Sequence, residues 1–582
     1  MATSPVPSVP NPGSPVLNGP NPSGVVPGNL VPSMLDARTQ AFPTLTPAQI
    51  DRIRPYGKLR PVTAGEIVFE PDAFDLPFFV LLSGRMEVVQ PDMKGGERPI
   101  AKHEPGEFTG EVTMISGRRS LVRGRVTEPG EFIEVSPDNL RSLLARDAEI
   151  SEILMRAFIL RRLLLINNGL GNIILLGSSH SANTLKIREF LTRDLHPFTY
   201  VDLDTDKTSQ ELLDRFNVTI DEVPVVICKG GNVFRNPTVQ KLADCLGFNV
   251  SVDQKHVRDV VIVGAGPSGL AAAVYAASEG LDALVIETDA PGGQAGSSSK
   301  IENYLGFPTG ISGQELTARA TAQAQKFGAK FMVAHSVVGL NCDQRPYEVL
   351  LDDGSSIPAR AIVISTGAQY NKPPISNLVN FEGQGIYYGA TNMEAQLCEG
   401  DEVIVVGGGN SAGQAAVYLS QTASKVHMLV RKGNLAETMS RYLIQRIEEN
   451  PAIEMHYKTE IVALEGDSQL RRVTWRDNAT GENSTHDIQH AFIMAGASPR
   501  TEWLGGCLAL DGKGFIYTGR DIVPNGGSTN WPLERPPQML ETSLPGVFAV
   551  GDVRAGNVKR VASAVGEGSI AIHLVHRALA EP

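Results

Sequence analysis

The chain has few cysteines, and no two of them are separated by only two residues. Among 582 residues there are five, at Cys228, Cys245, Cys342, Cys398 and Cys507. An odd number at such wide spacing fits neither a disulfide framework nor a zinc site, so we expect no metal centre. A redox-active Cys-x-x-Cys pair is excluded as well.

The sequence also lacks lysine and arginine tracts and long apolar runs. The formal net charge of −12 leaves no broad basic face for phosphate backbones, so nucleic acid is not an expected partner. No stretch approaches the roughly 18 uninterrupted apolar residues of a membrane helix, and the amino terminus has no basic segment followed by an apolar one. We therefore expect a cytoplasmic protein without a membrane partner.

The composition is that of globular α/β material, with 42% hydrophobic and 20% charged residues. Residues 1–34 are rich in Pro, Ser, Gly and Asn, which predicts a disordered tail. Short apolar runs between Gly and Pro turns, followed by helical periodicity over 137–165, predict a β-roll with helices over 35–168. The next segment, 169–252, reads as a compact βαβ domain.

A glycine-rich turn follows the apolar strand that begins near Val260. Its characteristic residues are Gly264, Gly266, Pro267, Ser268 and Gly269. Glycine lets the backbone approach a pyrophosphate, and the amino terminus of the following helix offers N–H groups to the anion. Glu287 ends the next strand, where its carboxylate can accept hydrogen bonds from a ribose diol. The combination predicts a dinucleotide site; the alternative is a tight turn without a ligand.

A second turn of this type follows another apolar strand. It contains Gly407, Gly409, Asn410, Ser411 and Ala412. The next strand ends in Arg431 and Lys432, so two cations stand where a ribose-binding carboxylate is usual, and they suit a 2′-phosphate. This favours NADPH over NADH, unless the two side chains are only a solvated strand end.

From about residue 257 to 582 the chain resembles the low-molecular-weight bacterial thioredoxin reductases. Beside the two turns, the family's motifs appear in order as Gly292-Gly293-Gln294, Ile301-Glu302-Asn303-Tyr304, Ser365-Thr366-Gly367-Ala368, Gly496-Ala-Ser-Pro499 and Val547-Phe-Ala-Val-Gly551-Asp552. The resemblance implies an α/β fold with two Rossmann-like domains of the pyridine nucleotide-disulfide oxidoreductase type. FAD is expected on 253–376 with 503–582, and NADPH on 377–502. A homodimer is the family habit.

The same resemblance implies which residues surround the flavin. Those expected near the flavin or its ribityl chain are Gly293, Gln294, Asn303, Thr366, Gly367 and Asp552. Val561 and Ala562 are expected beside the isoalloxazine, within a segment that is usually Arg-Gln-Ala in the family.

The family's dithiol is missing from its usual position. The matching stretch of the family is Cys-Ala-Thr-Cys, whereas this chain has Gly389-Ala390-Thr391-Asn392. Neither Gly389 nor Asn392 can carry a redox equivalent, so no catalytic residue is assigned. Cys398 is six residues further on, and we expect it to open a strand and serve the core.

The segment 169–252 resembles a thioredoxin- or glutaredoxin-like domain that has lost its redox cysteines. Such folds place a reactive cysteine at the amino terminus of the first helix, facing a cis proline. Here Ser178 and Ser181 hold the cysteine positions, and Pro224 is the expected cis proline. His180 is available for proton transfer or is simply polar surface.

The β-roll resembles cyclic nucleotide-binding domains. Its candidate phosphate cassette contains Gly110, Glu111, Arg119 and Ser120. Glu111 is suited to the ribose 2′-hydroxyl and Arg119 to the cyclic phosphate. The interval between them is short for the family, and Leu121 replaces a small residue, so a β-roll used only for packing or partner contact remains the alternative.

Three functions are consistent with these motifs. The first is an NADPH-dependent FAD oxidoreductase that passes electrons from the flavin to a quinone, a small redox protein or oxygen, with a cyclic nucleotide as a possible regulator. The second is a flavoprotein sensor without turnover. The third is a disulfide reductase that uses unconventional cysteines, such as Cys342 or Cys398. Without a dithiol, the domain rotation of the family loses its second purpose, and we expect less need for it.

Overall fold

A computed structural model describes most of the chain after the predicted tail. The described residues are 40–581 apart from 72, 74, 92–95, 112, 117–118, 168–172, 179–180, 195, 205–221, 229–231, 250–252, 254, 299, 376, 391, 468 and 523–530. The tail predicted at 1–34 lies outside them. Across the part that is described, no helix has both the length and the apolar character needed to cross a membrane.

The first unit is a β-roll of two sheets, ordered β1-β7-β3 and β2-β6-β4-β5. Its strands are β1 (Gly57–Val62), β2 (Ile67–Phe69), β3 (Phe78–Leu81), β4 (Arg85–Pro91), β5 (Glu97–His103), β6 (Arg123–Glu128) and β7 (Gly130–Val135). Its helices are α1 (Pro47–Ile53), a 3₁₀ turn (Arg54–Tyr56), α2 (Thr113–Ser116), α3 (Pro137–Arg146) and α4 (Ala148–Asn167).

The helical periodicity predicted over 137–165 is divided between α3 and α4. Asp147 lies between them with an extended backbone, and its side chain accepts a hydrogen bond from the Ile150 N–H at 3.0 Å. A residue of this type favours helix starts because its short carboxylate competes for backbone N–H groups. Asp147 therefore ends one helix and caps the next.

The second unit is a small four-stranded mixed sheet in the order β11-β10-β8-β9. Its elements are β8 (Ile173–Gly177), α5 (Ala182–Arg193), β9 (Thr199–Asp202), β10 (Val225–Cys228), β11 (Val233–Arg235) and α6 (Val239–Cys245). The Val223–Pro224 peptide bond is cis, as the thioredoxin-like resemblance implies. The start of α5 has no cysteine, but the unit as a whole does contain two. They are Cys228 and Cys245, whose Sγ atoms lie 3.4 Å apart.

The third unit is built on a parallel sheet extended by an antiparallel meander, in the order β14-β13-β12-β17-β16-β15. Its first elements are β12 (Arg258–Val263), α7 (Pro267–Ser278), β13 (Ala283–Glu287), α8 (Gly293–Gly296), α9 (Gly313–Phe327), β14 (Lys330–Val333), β15 (Val337–Asn341), β16 (Tyr347–Leu351), β17 (Ser356–Ile364) and β18 (Ala368–Tyr370). β12 is a nearly continuous apolar run because both faces of the parallel sheet are covered.

The chain then forms a fourth unit, a parallel sheet in the order β19-β26-β20-β21-β22 with a separate meander β23-β24-β25. The elements are a 3₁₀ turn (Leu378–Phe381), β19 (Ile386–Tyr387), α10 (Asn392–Leu397), β20 (Glu402–Val406), α11 (Asn410–Leu419), β21 (Lys425–Val430), α12 (Arg441–Glu448), β22 (Ile453–Tyr457), β23 (Thr459–Gly466), β24 (Leu470–Asp477), β25 (Asn483–His486) and β26 (His490–Ile493).

The chain returns to the third unit through β27 (Ala497–Pro499), which pairs with β18 where the two segments cross between the units. The remaining elements are 3₁₀ turns at Glu502–Leu504, Gly519–Ile522 and Gly551–Val553, strand β28 (Val547–Ala549) beside β17, and helix α13 (Val561–Leu579). α13 packs on α7, where a Cβ at Gly568 would lie 2.2 Å from the carbonyl oxygen of Ser268.

Cys342 and Cys507 form a disulfide across 165 residues of sequence. The expectation that the cysteines have no disulfide partners was therefore wrong for this pair. Cys342 follows β15 and Cys507 follows the Glu502–Leu504 turn, and both pack against the same hydrophobic cluster of the third unit. Spacing along the chain carries no information about this contact because the fourth unit is inserted between the two halves of the third.

Candidate active site

The three glycines of the first turn are required for different geometric reasons. Gly264 adopts a φ of +101°, in the left-handed region that favours glycine. A Cβ at Gly269 would lie 1.9 Å from the Gly264 carbonyl oxygen, so this glycine allows α7 to pack on the turn. The atom nearest to a Cβ at Gly266 among the described residues is the Gly293 Cα, 4.0 Å away. Gly266 thus leaves room for a ligand.

Among the described helices, α7, α11 and α13, like the one-turn α8, begin at residues whose side chains cannot accept a hydrogen bond from a helix N–H. The N-cap residues are Gly266 for α7, Gly409 for α11 and Arg560 for α13. By contrast, α5 and α9 are capped by the hydroxyl groups of Ser181 and Ser312. The first turns of α7, α11 and α13 therefore keep N–H groups and a positive dipole end for anionic ligands.

Glu287 lies where the ribose-binding acid was predicted. Its Oε2 accepts a hydrogen bond from the Ala265 N–H at 2.7 Å, inside the glycine turn, and its Oε1 accepts from the Asp289 N–H at 3.1 Å. Burial raises the pKa of this carboxyl group. The acid and the turn thus form one preassembled surface, and the chemistry of this donor set fits the adenosine half of FAD.

The Gly292-Gly293-Gln294 turn meets the first glycine turn directly. A Cβ at Gly293, whose φ is +53°, would lie 2.9 Å from the Cα of Gly266. Gln294 then donates a hydrogen bond to the Ala368 carbonyl oxygen, while Val561 packs against the cluster that contains Ala295. Two motifs almost 30 residues apart and the start of α13 are brought to one place.

The other residues predicted near the flavin occupy the rim of this region. Thr366 Oγ1 donates to the Arg500 carbonyl oxygen at 3.1 Å, next to Gly367, whose φ is +65°. Burial raises the pKa of Asp552 at the Gly551–Val553 turn. Asn303 and Ala562 are exposed. Thr366 and Asp552 follow β17 and β28 at the carboxyl edge of the sheet. The contacts of all these residues with FAD remain predictions.

The second turn repeats the geometry of the first. Gly407 has a φ of +143°, and a Cβ there would lie 2.4 Å from the Met494 carbonyl oxygen. At Gly409 the nearest described atom to an added Cβ is 4.0 Å away, so space is again left beside the start of α11. Asn410 accepts a hydrogen bond from the Ser440 N–H, Ser411 is exposed, and Ala412 packs into the core.

Arg431 and Lys432 follow β21 and are both exposed. Lys432 Nζ lies 2.8 Å from Glu437 Oε2 in a solvent-facing ion pair. Such a pair is worth little, so exchanging it for a 2′-phosphate would cost little. The pair of cations therefore fits NADPH, although its role remains a prediction.

The dithiol positions lie at the border between the third and fourth units. A Cβ at Gly389 would contact Ser297 at 3.9 Å, an ordinary van der Waals distance, and Asn392 is the first residue of α10. Cys398 comes directly after α10 and does not open a strand, which corrects the prediction made for it. Burial raises the pKa of its thiol to about 12, so Cys398 stays protonated and is a poor nucleophile.

The second unit contributes contacts that motif analysis missed. Arg193, the last residue of α5, donates hydrogen bonds to the carbonyl oxygens of Ala290 at 2.9 Å and Gly293 at 3.2 Å. The start of α5 faces Gly383, where an added Cβ would be 3.4 Å from Ala182. An arginine about 100 residues before the turn that it supports carries no local sequence signal.

The end of this unit where the resemblance places redox cysteines is polar. Ser178 Oγ donates to Asp204 Oδ2 at 2.8 Å, and Ser181 Oγ accepts from the Thr184 N–H as the cap of α5. His180 lies outside the described residues. Both serines thus form hydrogen bonds within the unit.

The cassette of the β-roll surrounds a buried carboxylate. Glu111 Oε2 is inaccessible to solvent and has no hydrogen-bond donor among the described residues. It lies 3.5 Å from Arg162 Nη1 on α4. The neighbouring Arg161 donates to the carbonyl oxygens of Phe108 and Gly110, so α4 holds both the acid and the turn that precedes it.

The remaining cassette residues have different surroundings. Gly110 adopts a φ of +104°. Arg119 is half-buried, and the Ser120 hydroxyl donates to the Val122 carbonyl oxygen at 2.9 Å. A buried carboxylate whose oxygen lacks a hydrogen-bond donor fits the expected contact with a ribose hydroxyl.

Comparison with known proteins extends these observations. Residues 258–568 match the pyridine nucleotide-disulphide oxidoreductase family, and residues 59–147 match the cyclic nucleotide-binding domain. The thioredoxin reductase of Bacillus subtilis (strain 168) is 31% identical over 331 residues, which cover 57% of this chain and 97% of the relative. That of Streptomyces clavuligerus is 32% identical over 325 residues, covering 56% and 94%.

Among solved structures, the thioredoxin reductase of Lactococcus lactis in the FR conformation aligns with a TM-score of 0.50 and 27% identity. The alignment covers 56% of this chain and 100% of the crystallised one. The likeness therefore extends over the third and fourth units together.

A methyl group at Gly266 should block the dinucleotide without disturbing the protein. The backbone at Gly266 is compatible with alanine and its surroundings are open, so the Gly266→Ala variant should fold but lose at least about tenfold in FAD affinity, the cost of roughly 1.4 kcal/mol of lost contact. Flavin absorbance relative to protein absorbance measures the occupancy. The control is Gly512→Ala, at an exposed glycine that also has space; equal flavin content in both variants would contradict the assignment.

Proposed function

Because the chain belongs to the pyridine nucleotide-disulphide oxidoreductase family, whose thioredoxin reductase members use FAD and NADPH, we propose that it is an NADPH-dependent FAD oxidoreductase without a dithiol relay. Electrons pass from the flavin directly to an external acceptor. The observation that carries this proposal is the pair Gly389 and Asn392, which replaces both thiols of the family.

The residues of the chain supply binding and orientation. When bound, FAD accepts a hydride equivalent from NADPH and releases two electrons to the second substrate. The turns at Gly266 and Gly409 receive the two pyrophosphates, Glu287 receives a ribose diol, and Arg431 with Lys432 receives the 2′-phosphate. In each turnover one NADPH is oxidised, and a quinone gains two electrons and two protons, one from NADPH and one from solvent.

The absence of thiols at Gly389 and Asn392 supports a small acceptor. A protein disulfide needs a thiolate partner to exchange with, whereas a quinone can take electrons from the flavin directly. A small redox protein and oxygen remain outcomes of the test.

The other cysteines give less support to a disulfide reductase. The raised pKa of Cys398 keeps its thiol protonated at neutral pH. Cys342 is already joined to Cys507, on the hydrophobic cluster that includes Leu340 and Tyr347 of the meander. The direct route from the flavin to the acceptor needs no reactive cysteine, whereas a disulfide reductase does.

Anaerobic stopped-flow absorbance distinguishes the three functions. NADPH should bleach the flavin, a soluble quinone should restore its absorbance repeatedly, and thioredoxin with a disulfide indicator should not. The Cys398→Ser variant should behave like the wild type, because a protonated thiol takes no part. Reduction that occurs once, with no acceptor restoring the absorbance, would instead indicate a sensor, and reoxidation by thioredoxin would refute the loss of the relay.

Restoring the dithiol tests the same position by gain of function. A Gly389→Cys, Asn392→Cys double variant should accept four electrons per flavin in a titration with reductant, whereas the wild type should accept two. The space at Gly389 and the helix start at Asn392 favour a thiolate there. Gly389→Ser, Asn392→Ser is the matched control and should stay at two electrons; an unchanged titration in the cysteine variant would mean that this stretch does not face the flavin.

We further propose that a cyclic nucleotide binds the β-roll and acts on the flavin site. The buried Glu111 supports binding, and a chain of packed elements supports coupling. Helix α2 of the cassette packs against α9, and at the start of α9 the Gly313 N–H donates to the Ser298 carbonyl oxygen. A Cβ at Gly292 would lie 2.8 Å from Thr317 Oγ1, so the same helix supports the Gly292-Gly293-Gln294 turn.

Calorimetry with cyclic AMP checks this second proposal. The wild type should bind one equivalent, and Glu111→Gln should weaken binding at least tenfold, because an amide is a weaker acceptor than a carboxylate for the ribose hydroxyl. Glu131→Gln, at an exposed residue of β7, is the control. Absence of heat with the wild type would favour a β-roll used only for packing.

The predicted domain boundaries, the homodimer and the cytoplasmic location remain predictions.

A further inference from the structure

Two histidines and a glutamate of the fourth unit converge far from the nucleotide turn. His427 lies on β21, and Glu454 and His456 lie on the neighbouring strand β22, where His427 is directly paired with Glu454. We refer to these three residues as the histidine cluster. His427 is almost fully buried and His456 is half-buried. Imidazole nitrogens favour transition metals over Mg²⁺ or Ca²⁺, and a carboxylate oxygen can complete such a site.

The candidate ligand atoms lie close together. His427 Nδ1 is 3.1 Å from His456 Nε2, and the two oxygens of Glu454 are near one nitrogen each, with Oε1 3.6 Å from His456 Nε2 and Oε2 3.8 Å from His427 Nδ1. One ligand atom from each residue lies within 4.8 Å of the other two, which is close to the separation of atoms that share one Zn²⁺ ion at bond lengths of about 2.0–2.1 Å. We propose that the histidine cluster binds one Zn²⁺-like divalent transition metal ion.

The outer contacts support this assignment. Glu402 Oε2 lies 3.1 Å from His427 Nε2, and a proton held between these atoms leaves the Nδ1 lone pair directed at the cluster. A carboxylate behind a ligating imidazole is a recurrent feature of metal sites because it fixes the tautomer and increases ligand basicity. On the opposite side, Lys425 contacts Glu454 and holds one of its oxygens in place.

Trp475 of the meander packs against both imidazoles. Its ring centroid is 5.5 Å from that of His427 and 5.3 Å from that of His456, and it stacks on His486 at 3.7 Å. The apolar ring shields one side of the cluster, while the exposed Glu454 leaves a route for entry from solvent. Three protein ligands would leave a fourth position for water.

The site is separate from the proposed electron transfer. His427 lies on β21 four residues before Arg431, which follows the strand. At about 3.3 Å per residue, the two residues are separated by about 13 Å along the chain direction. Metal binding would cross-link β21 and β22, which favours a stabilising role. The alternative is a direct hydrogen bond between His427 and His456 without a metal.

Titration of the metal-stripped, tag-free holoprotein with ZnCl₂ tests the inference. Calorimetry should give one Zn²⁺ per chain, and mass spectrometry of the dialysed protein should return the same ratio. His456→Ala and Glu454→Ala should each weaken binding at least tenfold. Glu402→Gln, which keeps the side-chain shape and alters only the outer contact, should weaken binding by about 10–100-fold.

Control variants test whether zinc binding is specific to the histidine cluster. His256→Ala removes an exposed histidine that pairs with Asp282 at 2.8 Å and should leave zinc binding unchanged, as should Cys245→Ser, which removes a thiol near Cys228. Co²⁺ should quench tryptophan fluorescence in the wild type and much less in Trp475→Phe. A wild type that takes up no zinc at 100 µM ZnCl₂, or a His456→Ala variant that retains one equivalent, would overturn the proposal.

Discussion

The close contact between two glycine turns, at Gly266 and Gly293, is the constraint on which the remaining structure depends. A Cβ at Gly293 would lie 2.9 Å from the Gly266 Cα, so neither backbone segment could approach the other with a larger residue at Gly293. From one side Glu287 binds the first turn through the Ala265 N–H. From the other, Arg193 of the second unit binds the Gly293 carbonyl oxygen. The space beside Gly266 is thus shaped by three chain segments.

This arrangement does not depend on cysteine at Gly389 and Asn392. Glu287 and Gly293 form their contacts within the third unit and with Arg193 of the second, whereas the stretch that contains Gly389 and Asn392 begins the fourth. The residues at these two positions can therefore differ from the family's cysteines without a change in the packing around the first glycine turn.

The first and second units contact the third unit near its glycine turns. The cassette helix α2 packs on α9, whose first turn supports Gly292 through Thr317. The second unit adds Arg193 and the approach of α5 to Gly383. Polar and packing contacts of this kind would give a ligand of the β-roll a physical route to the first glycine turn, provided that two arrangements of α2 or α9 differ in energy by a few kcal/mol.

By itself the sequence determined the α/β class, the order of the units, the two glycine turns and the replaced dithiol, because these depend on short-range patterns and on glycine at positions that no other residue tolerates. It did not reveal that α3 and α4 are separate or that Cys398 follows a helix, since element boundaries depend on single capping residues such as Asp147. Only the tertiary structure joined Cys342 to Cys507, brought Arg193 to the flavin turn and assembled His427 with Glu454 and His456. Those contacts link residues on different strands or in different units, and they cannot be predicted from the spacing of the residues along the chain.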